Sequence, residues 1–200
     1  MHYVMYALLN KKEAKNSEEA RIEVKSQLED DDSFVGEGGR FSSPVADWFL
    51  IGGRWSGDLI SKSLDKDFYE EIKKEIKPQH SFGYTNEEMK ENMSKFQEIW
   101  ESCGGKGNNP YDRDEYLKIG KGDDAQIVDE KLWDKVIKPL FDDTKYETDY
   151  SIIKRKNDYD SCEPILVDLD REEEIDFSEK EKVKESIIGK RWIVVVDYHS

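Results

Sequence analysis

The sequence predicts an α+β domain: a small, mostly antiparallel sheet of split βαβ type, with helices on one face and a helical insertion in the middle. Three observations predict it. Both ends of the chain read strand–helix–strand, which places the N- and C-terminal strands in the sheet. The middle carries apolar residues at helical rather than alternating spacing. Finally, 12% of the residues are aromatic, including five Trp and ten Tyr, and those rings need a core even though 38% of the chain is charged.

The elements follow in order. Residues 2–9, HYVMYALL, are rich in Val, Tyr and Leu and read as a strand. Asn16 and Glu19 form a capping box, after which Ala20, Val24 and Leu28 recur at every fourth position of an amphipathic helix. A Gly- and Ser-rich loop, 36–44, precedes a second short strand, Trp48 to Ile51, which breaks at Gly52-Gly53. Phe68, Ile72 and Ile76 share one face of a helix that Pro78 stops. Thr85 and Glu88 box a further helix with Met89, Met93, Phe96 and Trp100 as its stripe and Gly104-Gly105 as its end.

Beyond the polar loop that follows, residues 125–128 are a short strand. Asp129 caps a helix carrying Leu132, Trp133, Val136 and Leu140, which Pro139 distorts near its end. Residues 150–154 are a weak strand candidate and 165–169 a better one. Ser178 and Glu181 cap a helix bearing Val183 and Ile187 that Gly189 ends. The final run, WIVVVDY within 191–198, is the most β-branched in the chain and implies a strand buried on both faces. No repeat and no clean linker interrupts this order. Residues 1–200 therefore read as one domain, with 62–145 as a helical insertion or cap.

Charge and cysteine content narrow the classes of function. A formal net charge of −15 opposes direct nucleic-acid binding, which depends on neutralising phosphate with Lys and Arg, and opposes an anionic membrane surface equally. It suits a basic protein partner. The two cysteines, Cys103 and Cys162, form no CxxC pair and imply reduced thiols in a cytoplasmic setting. No apolar run approaches the ~20 residues of a membrane helix.

One segment stands apart. Residues 47–57, DWFLIGGRWSG, pack three glycines, two tryptophans, an arginine and an aspartate into eleven positions. Gly52-Gly53 directly after a strand can aim backbone N–H groups at one point as an anion nest, and Arg54 adds a bidentate fork for phosphate or carboxylate. Trp48 and Trp55 offer faces on which a nucleotide base could stack. Asp47, Trp48, Gly52, Gly53, Arg54 and Trp55 are thus the candidate residues of a pocket for a small anionic or nucleotide-like ligand. Against this stands a structural alternative: a glycine bulge that lets two tryptophans pack, with Arg54 paired to Asp47 or Asp58. Neither G-x-G-x-x-G nor G-K-[ST] occurs, and the cofactor, if any, stays unknown.

The segment resembles a D-W-[FY]-x-[IV]-G-G-R-W-x-G signature in a set of functionally uncharacterised bacterial and phage proteins. Their last strands also carry a V-D-x-H flavour, like residues 196–199 here. The resemblance covers about a tenth of the chain and implies no activity. It implies that these two segments belong together in the fold.

Other chemistry is thinner. Asp197 and His199 lie two apart on a predicted strand and share a face, where His2 could join them as ligands of a metal or as a base and its orienter. Residues 158–181 hold eleven acids against Arg171 and Lys180, and Asp168, Asp170, Glu172, Glu174, Asp176 and Glu179 fall at the ligand positions of an EF-hand loop. Glu173 stands where that loop needs Gly, so a solvated acidic stretch is the expectation. Cys103 lies at a helix C-terminus, the wrong end of the dipole for an activated thiolate. The expectation is therefore a non-enzymatic binding module. One alternative is an acidic interaction protein, an inhibitor or nucleic-acid mimic. The other is a metal-dependent enzyme using the carboxylates Asp47, Asp58 and Asp197.

Overall fold

In a computed structural model, residues 2–30, 46, 48–75, 85–107, 109, 124–142, 165–170 and 180–199 are described. Their strands are β1 (His2–Asn10), β2 (Trp48–Ile51), β3 (Ala125–Ile127), β4 (Ile165–Asp168) and β5 (Arg191–His199). The sheet order is β2-β5-β1-β4, with β3 also on β5. β5 runs antiparallel to β1, β2 and β3, and β1 runs parallel to β4. The protein is thus α+β with a mixed, mainly antiparallel sheet, and β1 and β2 are parallel strands split by β5.

Local sequence explains the helices. In α1 (Ser17–Asp30) the Asn16 side chain accepts the Glu19 N–H at 2.9 Å, while the Glu19 carboxylate reaches back to the Lys15 N–H at 2.9 Å. Ala20, Val24 and Leu28 are buried as their spacing requires, and full burial of Val or Leu is worth about 1.5–3 kcal/mol each. α2 (Asp58–Lys62) follows the glycine turn, and α3 (Phe68–Glu75) follows α2. α4 (Asn86–Ser102) has the full reciprocal Thr85–Glu88 box.

The helix after β3, here α5, is continuous over Glu130–Leu132, a π turn at Trp133–Ile137 and Lys138–Asp142. Its start is capped by Asp129. Pro139 has no N–H for the usual bond four residues back, and the ladder widens just before it, the Lys138 N–H reaching the Trp133 carbonyl. α6 (Lys180–Ile187) leads through Gly189 into β5.

The layering departs from the expectation of helices on one face. α1 covers the face formed by Met5, Ala7, Leu9, Trp192, Val194 and Val196. Leu59 of α2, the α5 residues Leu132 to Leu140, and Val183 and Ile187 of α6 cover the other, against Val4, Tyr6, Leu8, Ile193 and Val195. The cause is visible in β1 and β5: both are apolar at successive positions, so both sheet faces must be shielded from water.

Within 62–145, β3 and α5 return to the sheet, whereas α3 and α4 enclose a small core of their own. There Phe68 meets Trp100 edge-on at 5.2 Å, beside Leu64, Ile72 and Cys103. The candidate strand at 150–154 and the loop 36–44 lie outside the described residues. Among the described residues no helix is long and apolar enough to cross a membrane.

Candidate functional site

The DWFLIGGRWSG segment sits where the outer neighbour of β5 changes hands. β2 pairs with the last four residues of β5, from Trp48 opposite His199 to Ile51 opposite Val196. At Val195 the edge passes to β3: the Gly52 N–H donates to the Val195 carbonyl at 2.8 Å, and the Val195 N–H donates to the Asp124 carbonyl at 2.8 Å. The chain leaves β2 through Gly52 (φ +74°) and Gly53 (φ +53°), turns through Gly53–Trp55, and enters α2.

Two buried aspartates explain the glycine pair. A Cβ on Gly52 would stand 2.4 Å from Asp124 Oδ2, and a Cβ on Gly53 would stand 2.5 Å from Asp197 Cβ. The left-handed backbone excludes most side chains, and the carboxylates fill the space that remains. The glycine segment and the end of β5 therefore meet: Asp197 of β5 lies directly against Gly53.

Both aspartates are 1% exposed. Burial raises the Asp124 carboxyl above the usual range; hydrogen bonds from Ser56 and from the Gly57 N–H at 3.2 Å, and the Arg21 charge, pull the other way. A third buried aspartate, Asp58, opens α2. It accepts the Tyr6 hydroxyl and pairs with Lys62 Nζ at 3.1 Å, while Lys62 also donates to the Tyr6 oxygen. This Asp–Tyr–Lys trio ties α2 to the centre of β1.

Two donors remain. Trp55 Nε1 and Arg21 Nε are buried with no hydrogen-bond partner among the described residues. Arg21 acts on Asp124 from α1, whereas Trp55 packs against the cluster on the other face of the sheet. A buried N–H without an acceptor costs about 1–3 kcal/mol, which a water or ligand oxygen would relieve.

Of the residues singled out by sequence, Gly52, Gly53 and Trp55 form this turn, and Trp48 lies four residues before it, at the start of β2 opposite His199. Trp48 is 42% exposed and stacks on His199 at 5.7 Å with 3° between the rings. Arg54 lies within the Gly53–Trp55 turn, and Asp47 lies outside the described residues. The backbone nest takes a different form from the one envisaged. The N–H groups of Gly52, Trp55, Ser56 and Gly57 all go to protein acceptors. His2 is the register partner of His199, as a neighbouring first strand requires.

Among the described residues no three His, Cys, Asp or Glu side chains converge as metal ligands. Asp168 and Asp170, the first two acids of the EF-hand-like stretch, are bound to Arg191 instead, Asp168 at 3.0 Å. Cys103 is buried behind the end of α4.

Sequence reasoning missed Tyr6, Arg21, Lys62 and Asp124. Tyr6 looked like any aromatic of a strand, and Asp124 like any acid of a polar loop. Their partners lie 52 or more residues away along the chain. No protein-family model, no curated protein and no solved structure matches the chain.

Proposed function

We propose that this domain is a binding module for a small anionic ligand seated at the Gly52–Gly57 turn. One observation carries the proposal: the indole N–H of Trp55, within the glycine turn, is buried with no hydrogen-bond partner among the described residues. A carboxylate or phosphate oxygen would satisfy it, and an indole N–H suits an anion in a dry site. Arg54 adds a cationic residue to the same segment, and Trp48, partly exposed at the start of β2, offers an aromatic surface for a planar group.

The test is native mass spectrometry of gently purified protein, alongside Trp55→Phe, Arg21→Gln and Arg54→Ala. A co-purifying small mass that Trp55→Phe loses, in a protein of unchanged circular dichroism, supports the reading and names the ligand class. A wild-type protein that carries no small mass, and binds neither inorganic phosphate nor a nucleotide mixture by calorimetry, sinks it.

A further inference from the structure

Asp124 fills a seat made by other parts of the chain. It stands just before β3, and its carboxylate reaches the Gly52–Gly57 turn. We propose that this carboxylate is a built-in stand-in for a free one: the turn holds a small-carboxylate site that the protein keeps closed with its own side chain, an autoinhibitory contact.

Three groups from outside β3 act on the carboxylate. The Gly57 N–H donates to Oδ1 at 3.2 Å, the Ser56 hydroxyl donates a further hydrogen bond, and Arg21 of α1 adds positive charge. Gly52 completes the seat by what it lacks. A Cβ there would stand 2.4 Å from Oδ2 and 3.0 Å from Oδ1, so both oxygens fit against the backbone only because the residue is glycine. A backbone N–H, a hydroxyl and a guanidinium are also the groups that receive a carboxylate from another molecule.

Asp124 does not use all that the seat offers. Arg21 Nε is buried with no partner among the described residues. Two carboxylate oxygens can accept about four hydrogen bonds, so acceptor capacity is not what falls short. Reach is: the Asp124 side chain hangs from a backbone pinned to β5, its carbonyl accepting the Val195 N–H at 2.8 Å. A free carboxylate has no such tether and can turn to take the Arg21 donor as well.

Burial sets the class of ligand. Asp124 is 1% exposed, so the space it vacates is that of one carboxylate group and the occupant is formate-sized. Burial also opposes charge there, which keeps the expected affinity in the millimolar range. This seat is separate from the Trp55 indole. Arg21 comes to it from the α1 side, whereas Trp55 packs with the cluster on the opposite face of the sheet.

Asp124→Ala removes the stand-in and leaves the seat. Sodium formate at about 50 mM is expected to raise the thermal midpoint of this variant by about 4 °C, against under about 1 °C for wild type, and for the variant in chloride of equal ionic strength. Acetate, larger by a methyl group, raises it less. Asp124→Asn keeps the space filled, and formate is expected to leave it unmoved. Adding Arg21→Gln to Asp124→Ala is expected to cut the shift by about half.

If Asp124→Ala is unfolded in buffer, the return of native circular dichroism with formate, and not with chloride, is the same readout. Equal formate responses of wild type and Asp124→Ala, no response of either, or a response of Asp124→Asn that matches Asp124→Ala overturns the proposal. Trp55→Phe in the Asp124→Ala background is expected to leave the formate shift in place, so the seat and the indole site stand or fall separately.

Discussion

The two ends of β5 bury aspartates in opposite ways. At its start, Arg191 bridges Asp168 and Asp170, a charged group answered by charge, on regular strand backbone. Toward its other end, Asp197, and Asp124 beside it, sit against glycines of positive φ, and the described hydrogen bonds to Asp124 come from a hydroxyl and a backbone N–H. The first arrangement is self-contained. The second needs glycine at two positions, and Arg21, which acts on Asp124, keeps a buried Nε with no partner among the described residues. The contrast teaches that burial of an acid marks no function by itself; what surrounds the acid does.

The sharpest break of this comparison is Arg191→Ala. It strands two carboxylates with side chains 1% and 12% exposed, and a loss of about 3–5 kcal/mol is expected in urea denaturation. A loss under 1 kcal/mol would show that the acids there need no counter-charge.

Gly52→Ala comes next, at about 2–3 kcal/mol, combining backbone strain with collision against Asp124. Adding Asp124→Ala removes the collision and leaves the φ penalty, so the double variant should recover part of the loss. No recovery would mean that the glycine serves conformation alone.

The pH response separates the two ends further. Burial pushes the Asp170 carboxyl up to about 6, beyond the pull of Arg191 and aided by Glu13 and Asp168. A carboxyl raised in the folded state holds its proton longer there than in the unfolded chain. Stability is therefore expected to fall as pH rises from about 4 to about 6 and then to level. Asp170→Asn should flatten that slope, read as urea midpoints across the window. A slope that survives belongs elsewhere, with Asp124 first in line because its carboxyl is raised too.

The smallest stability effect is expected of Trp55→Phe. It deletes a donor that has no acceptor among the described residues, so a change within about 1 kcal/mol follows, of either sign. A larger loss, read by thermal melting, would show the indole N–H to be structurally engaged and would weaken the contrast between the two ends.

Much of the fold was legible. The capping pairs Asn16–Glu19 and Thr85–Glu88 are local, three residues apart, and the chain writes them in the open. The β-branched run of β5 likewise announced burial on both faces, and it is the better guide to the layering than the split βαβ analogy that put the helices on one side. The candidate site was legible only as density of Gly and Trp. Why Gly52 and Gly53 must be glycine depends on Asp124 and Asp197, 72 and 144 positions further on. No local period encodes such a meeting. Asp58 could be suspected as an acid, but its ties to Tyr6 and Lys62 needed the sheet.

The hand-over at Val195 bears on how the chain is made. Three of the other four strands find their antiparallel partner in residues 191–199, which the ribosome makes after all of them. Until then, among the described strands, β1 has β4 as its partner and β2 and β3 have none. Assembly therefore waits on contacts between residues as far apart as His2 and His199, a high contact order that slows folding and leaves apolar strands exposed to passing chaperones meanwhile.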